Sequence, residues 1–225
     1  MFEAVVLMGG FGTRLKSVTG DTPKPMVEVA DKPFVYHLFE RLEKLGCRKI
    51  ILSLHYRAEY IRKKILEDLP VGCELFFAIE DSPRGTGGGI KLAAEYVDGE
   101  SFIAINGDTH CGIDYQKFFN SSRGCDIVVS GIQVQNTERY GALSYNSHNF
   151  LTSITEKGIN GPGFINSGNY FINTSLIRAE KKLAFSFEEY FLPKYLKRAK
   201  VYTFSGDFID IGIPEDYLKA KEMFL

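Results

Sequence analysis

The sequence predicts an α/β fold with a mixed, mainly parallel sheet flanked by helices. Three observations carry this. In the first half, four apolar runs of strand length, residues 4–8, 49–54, 74–79 and 102–106, alternate with amphipathic segments at 34–45, 56–66 and 88–96. Parallel strands joined by crossover helices produce that alternation. In the second half, short runs at 127–133, 142–145, 151–156 and 164–173 follow one another without long helices between them, which predicts a smaller antiparallel extension. Finally, the first run stops at the turn Gly9-Gly10-Phe11-Gly12 and the fourth at Asn106-Gly107-Asp108. Ligands of open α/β sheets gather beyond the carboxyl ends of the parallel strands, where the strand order reverses.

Each element has its own reason. In the segment 34–45, Leu38, Leu42 and Leu45 are spaced by four and three residues, so they share one helix face and pack on the sheet. A helix over 187–197 is expected to kink at Pro193. Residues 201–204 return as a strand, and 215–223 close the chain as a helix that begins after Pro214. With no internal repeat, low-complexity tract or linker, residues 1–225 read as a single domain. At 44% hydrophobic and 24% charged, the chain can bury one sizeable core.

A net charge of −1 gives no broad attraction for nucleic acid or an anionic membrane, so neither is expected as a partner. The longest apolar runs fall short of a membrane span, and no basic segment precedes the first one, which predicts a cytoplasmic location. Self-association as a homo-oligomer stays open. Cys47, Cys73, Cys111 and Cys125 are widely spaced and read as buried free thiols. His37, His55, His110 and His148 are scattered and read as packing or surface residues, although His110 lies close to Asp108.

The chemistry concentrates at the strand ends. Glycines let backbone N–H groups face an anion, and Arg14 and Lys24, the latter within Pro23-Lys24-Pro25, add full charges in the same long loop. This is not a P-loop, because Thr13-Arg14 follows Gly12 where Lys-Ser/Thr would be needed. Nor is it a dinucleotide fingerprint: Leu15 replaces the third glycine, and no acidic residue stands at 53–55. The loop therefore reads as a grip for a polyphosphate. Taken singly, Asp108 reads first as a cap for a helix starting at Tyr115. Asp210, in Phe208-Ile209-Asp210-Ile211, carries a charge among apolar neighbours and must be paired or bound to metal. Two such aspartates facing one phosphate loop suggest a Mg²⁺ site. Lys157, at a strand end, can supply a point charge to a second phosphate, and Asn166 and the backbone near Gly168 can bind hydroxyls.

The set Gly9-Gly10-Phe11-Gly12-Thr13-Arg14-Leu15, Pro23-Lys24-Pro25-Met26, Pro83-Arg84-Gly85-Thr86-Gly87-Gly88, Asn106-Gly107-Asp108, Glu156-Lys157, Asn166-Ser167-Gly168 and Asp210-Ile211-Gly212 resembles the sugar-1-phosphate nucleotidylyltransferases, most of all the short heptose 1-phosphate guanylyltransferases. The resemblance implies a Rossmann-like fold of the nucleotide-diphospho-sugar transferase type. Residues 1–112 would form mainly a nucleotide half and 113–225 mainly a sugar-phosphate half. Arg14, Lys24, Asp108 and Lys157 are implied as catalytic, and Asp108 and Asp210 as ligands of Mg²⁺. Leu7, Gly9, Gly10, Gly12, Thr13, Arg14 and Lys24 would bind the nucleotide, together with Glu80, Pro83, Gly85, Thr86 and Asp108. Gly141, Glu156, Lys157, Asn166 and Gly168 would line the sugar phosphate. The implied role is nucleotide-sugar supply for surface polysaccharide.

Departures from the usual pattern are Ser17, Arg84, Gly158 and Ile213, none of them a proposed charge. An ionised Glu80 accepts hydrogen bonds only, and guanine offers adjacent N1–H and N2–H donors, which favours GTP. Mannose 1-phosphate, and UTP or CTP, stay open as alternatives. A catalytically silent sugar-nucleotide sensor and a nicotinamide dehydrogenase are rival readings. The first is disfavoured by the presence of all five charged residues, the second by the missing fingerprint.

Overall fold

The first apolar run, Phe2–Leu7 (β1), sits near the middle of a seven-stranded sheet. A computed structural model describes residues 1–10, 12, 15–155 and 160–224. Arg14, Thr13, Glu156 and Lys157, named above as site residues, lie outside the described residues. In chain order the elements after β1 are α1 (Lys16–Thr19), β2 (Glu28–Val29), β3 (Lys32–Pro33), α2 (Phe34–Lys44), β4 (Cys47–Leu54) and α3 (Ala58–Asp68). There follow β5 (Glu74–Ile79), α4 (Gly85–Ala94), β6 (Ser101–Asn106), β7 (Thr109–Cys111), α5 (Tyr115–Ser122) and β8 (Ile127–Val134). The remainder is β9 (Leu143–Tyr145), β10 (Leu151–Ile154), β11 (Gly163–Asn173), α6 (Thr174–Arg178), β12 (Ala199–Phe204), β13 (Phe208–Asp210) and α7 (Pro214–Met223).

The large sheet runs β12-β8-β11-β6-β1-β4-β5. Strand β1 pairs in parallel with both β4 and β6, and β4 with β5, so the chain winds to one side of β1 and then crosses to the other. That reversal opens a crevice between the carboxyl ends of β1 and β6, where Leu7 stands in register with Asn106. Both faces of the sheet are covered, which is why β1 is apolar from Ala4 to Leu7. Ala4 and Val6 pack with Leu38, Phe39 and Leu42 of α2 and Phe118 of α5, whereas Val5 packs with Ile90 and Ala93 of α4 and with Phe187 and Phe191.

The second half forms the expected antiparallel extension as a continuation of the main sheet: β11 lies antiparallel to β6 and β8, and β12 pairs in parallel with β8. Outside that sheet, β9 and β10, β13 and β7, and β2 and β3 form small antiparallel pairs. The helix expected over 187–197 is a π-helical turn, Phe187–Phe191, passing into a 3-10 turn, Leu192–Tyr195. Pro193 has no N–H to continue an α-helix. The cap of α5 is Asp114, whose carboxylate accepts from Lys117 N at 2.9 Å, so Asp108 is free of that duty. No disulfide links the cysteines; Cys47 and Cys111 are buried, while Cys73 and Cys125 are only partly so. Among the described residues no helix is long and apolar enough to cross a membrane.

Candidate active site

Gly107 places the first carboxylate. Its N–H donates to Leu7 O at 2.9 Å, and a Cβ there would stand 2.8 Å from that same oxygen. Only glycine lets the chain cross so closely over the end of β1 and deliver Asp108 to the crevice. Asp210 arrives from the far end of the sequence. Strand β13 pairs antiparallel with β7, Asp210 stands opposite Thr109, and Ile211 N donates to Asp108 O at 3.1 Å.

Lys24 meets both. It opens a short 3-10 turn, Lys24–Met26, between Pro23 and Pro25. Its ammonium lies 2.6 Å from Asp108 Oδ2 and 3.1 Å from Asp210 Oδ1. The lysine side chain is 11% exposed, the carboxylates 33% and 31%. Burial alone would lower the Lys24 pKa, but Asp108 and then Asp210 outweigh it, and the net shift is upward from 10.5. Lys24 is therefore charged throughout the neutral range. Asp210 thus satisfies its need for a partner through a lysine. Two hard oxygens converging on one cationic point also fit a small divalent ion that completes its shell with water and phosphate. Among the described residues there is no group of three or more His, Cys, Asp or Glu placed to hold a metal ion.

Two cavities open at Asn106, the last residue of β6. The first, about 350 Å³, is floored by Leu7, Gly9, Gly10 and Asp108. Its other wall is Glu80, Pro83, Gly85 and Thr86, from the segment joining β5 to α4. Gly12 lies against Lys24, its missing Cβ 3.2 Å from Lys24 Cβ. Ser53, His55 and Asn106 also line this cavity, a role the sequence did not reveal for them. The second, about 840 Å³, is lined by Gly141, Asn166 and Gly168 as expected, and by Tyr140, Tyr170 and Glu188, which were not foreseen. Asn106 borders both cavities, so they meet beside Asp108. His110 belongs to neither: it packs edge-on against Phe224 at 4.9 Å, and burial holds its pKa down at about 4.

Between Asn166 and Tyr170 the register of β11 on β8 shifts. Gly168 takes φ +75° at this bulge, and its N–H donates to Asn166 Oδ1 at 3.0 Å. The bulge turns Asn166 and Gly168 toward the second cavity. Beneath it, Asn169 is fully engaged, donating to Ser167 O at 3.0 Å and accepting from Tyr115 OH at 3.1 Å.

Glu80 is 8% exposed. Burial raises its pKa above 4.5, opposed by the Arg84 N–H donating to Oε2 at 2.9 Å. For an acid whose folded pKa is raised, the folded state holds the proton longer, so stability falls as pH climbs from the unfolded value through the folded one. Glu80→Gln is thus expected to melt at or above the wild-type temperature at about pH 7, with the difference vanishing near about pH 4 where both side chains are neutral. Melting curves at the two pH values check this, and a variant less stable than wild type at neutral pH would refute it.

The family model for nucleotidyl transferases matches residues 3–225. The chain belongs to that family. It is 38% identical to the D-glycero-alpha-D-manno-heptose 1-phosphate guanylyltransferase of Campylobacter jejuni over 220 residues, covering 96% of each protein. Against the protein of the same name from Aneurinibacillus thermoaerophilus it is 38% identical, covering 98% of this chain and 97% of that one. The crystal structure of HddC from Yersinia pseudotuberculosis superimposes with a TM-score of 0.94 at 49% identity over the whole of both chains. HddC has also been solved in complex with GMP-PN. The main sheet, its flanking helices and the strand-end crevice are thus those of a nucleotidyltransferase.

Proposed function

We propose that the chain transfers a guanylyl group from GTP to a sugar 1-phosphate, D-glycero-α-D-manno-heptose 1-phosphate above all, forming the GDP-sugar and releasing pyrophosphate. The observation that carries this reading is the meeting of two cavities of unequal size at Asn106, with Asp108 of the Lys24–Asp108–Asp210 triad lining the first. The names of the two relatives above that align over nearly their whole length support the base and the sugar. Glu80 supports guanine independently. Its acceptor-only carboxylate faces the first cavity and matches the paired donors of that base.

In this reading the first cavity takes the nucleoside, with Gly9, Gly10 and Gly12 offering backbone N–H groups to the phosphates and Arg14 and Thr13 joining them. The second takes the sugar, its 1-phosphate held by Lys157 and its hydroxyls by Glu156, Asn166 and the backbone at Gly141 and Gly168. The second pKa of a phosphate monoester is about 6, so the attacking oxygen is already anionic at neutral pH and needs no protein base. It forms a bond to the α-phosphorus of GTP while the α–β phosphoanhydride bond breaks, and the electron pair leaves with pyrophosphate. The protein's work is alignment and charge screening. Lys24 bears on the triphosphate and Lys157 on the acceptor. A Mg²⁺ ion held by Asp108 and Asp210 would add charge neutralisation at the same point.

A panel of four nucleoside triphosphates against heptose and hexose 1-phosphates, read by pyrophosphate release, tests the proposal. GTP with the heptose 1-phosphate is expected to give the highest kcat/KM. A preference for UTP or CTP overturns the base, and a preference for mannose 1-phosphate overturns the sugar.

A further inference from the structure

Glu188 stands just inside the π-helical turn that follows α6, far in sequence from either strand end, yet its carboxylate touches both halves of the site. Its Oε2 accepts from Thr86 Oγ1 at 2.7 Å, and its Oε1 accepts from Tyr170 OH at 2.8 Å. Thr86 borders the first cavity and Tyr170 the second. The chain of contacts continues outward on both sides. Phe187 N donates to Thr86 Oγ1 at 2.9 Å, Asn166 Nδ2 donates to Tyr170 OH at 2.8 Å, and Asn166 Oδ1 takes the N–H of Gly168 at 3.0 Å. The result is one unbroken line of hydrogen bonds from the wall of the first cavity to the bulge of β11.

The direction of each proton is fixed. Thr86 Oγ1 and Tyr170 OH each already accept a bond, so the single hydrogen of each must go to Glu188. Two donors aimed at one side chain call for a group that only accepts, which an ionised carboxylate provides and an amide does not. Burial, and then Glu188, push the Tyr170 phenol well above its ordinary pKa, so it keeps the proton it donates. The carboxylate is partly buried, and its bond to Tyr170 lies on the sheltered side, where such bonds are stronger than in open water.

We propose that Glu188 is a positioning residue that couples the two substrate cavities, holding the Gly85–Thr86 wall and the Asn166–Gly168 bulge at one fixed separation so that filling either cavity favours filling the other. This rests on the assignment of the cavities to nucleotide and sugar phosphate made above. Coupling of this kind is reciprocal: whatever one ligand gains from the other, the other gains equally. The consequence is crossed behaviour. A change on the nucleotide side must be felt in sugar binding, and the reverse.

The test is steady-state kinetics with GTP and the heptose 1-phosphate on wild type, Thr86→Val, Thr86→Ser, Tyr170→Phe and Glu188→Gln. Thr86→Val is expected to raise the KM for the sugar phosphate roughly fivefold, and Tyr170→Phe the KM for GTP by a similar factor. Thr86→Ser, which keeps the hydroxyl, should bring the KM for the sugar phosphate back from the value raised in Thr86→Val. Thr86→Val added to Glu188→Gln should cost little beyond Glu188→Gln alone, because both break the same line. If Glu188→Gln does not fold, the two single-oxygen deletions decide the matter. Changes confined to each residue's own substrate, or a lowered melting temperature with unchanged KM values, overturn the coupling. An inactive wild type would instead sink the functional reading and take the coupling with it, so the two failures are distinct.

Discussion

Lys24→Met is expected to lower kcat by roughly 10²–10³, about 3 kcal/mol of barrier, while the protein remains folded. The substitution keeps the length and most of the apolar stem of the side chain and removes only the charge. That charge lies within hydrogen-bonding distance of both Asp108 and Asp210, and under the proposed reaction it faces the triphosphate as negative charge moves to the departing pyrophosphate. The cost to folding is smaller. Asp108 and Asp210 are each about a third exposed, so water screens the two carboxylates once the ammonium is gone, and a loss of about 1 kcal/mol or less is expected. The pH dependence follows from the same geometry. A lysine whose pKa is raised on folding contributes stability that is complete below its unfolded value of 10.5 and is lost only as pH rises through the higher folded value. Wild type should therefore show no change from this group across the neutral range. Pyrophosphate release and a melting curve on the same preparation separate the two effects, and a kcat equal to wild type would remove Lys24 from the reaction.

The triad also shows what a sequence conveys. A charge set among apolar residues, as in Phe208-Ile209-Asp210-Ile211, announces that something must compensate it, so Asp210 could be singled out without coordinates. Its compensator could not, because Lys24 is 186 residues away. The same limit explains why Glu188 was missed. It lies 102 positions from Thr86, and no local pattern marks it as that residue's partner. The parallel strands β1, β4, β5 and β6 were legible within two residues at each end because strands buried on both faces are plain apolar runs. Strand β11 was placed correctly in the chain but not in the sheet. Its interior carries Asn166, Ser167 and Asn169, which look unsuited to a central strand. In the fold they are satisfied within it: Ser130 Oγ donates to Asn169 O at 2.9 Å, and Asn169 Nδ2 donates to Ser167 Oγ at 3.1 Å. Buried polar groups that bond to one another are compatible with a core, but their pairing is tertiary information.

Gly88→Ala is expected to destabilise the protein by about 2 kcal/mol, although glycine-to-alanine in a helix interior ordinarily gains about 1 kcal/mol. Three glycines in succession, Gly87, Gly88 and Gly89, occupy the first half of α4, and on propensity alone they cost the helix about 3 kcal/mol. Sequence reasoning began the helix only at Gly88, whereas it starts at Gly85. Close approach explains the tolerance. A Cβ on Gly88 would lie 2.4 Å from Leu183 O and 2.6 Å from Arg84 Cβ, and one on Gly89 would lie 2.6 Å from Ser53 Oγ and 2.7 Å from Glu80 Oε1. The backbone at Leu183 cannot rotate away as a side-chain tip could. Relief requires parting α4 from the segment before the π-helical turn, which loosens Gly87 N to Phe185 O at 2.9 Å and Phe185 N to Arg84 O at 2.8 Å. The penalty for overpacking, with those bonds weakened, exceeds the propensity gain. For a chain of this size the loss corresponds to a fall of about 4–8 °C in melting temperature. Because Arg84 adjoins Gly85 and Thr86 on the wall of the first cavity, KM for the nucleoside triphosphate should rise with it. A Gly88→Ala protein that melts at or above the wild-type temperature would mean that propensity governs here and that the two segments are not in contact.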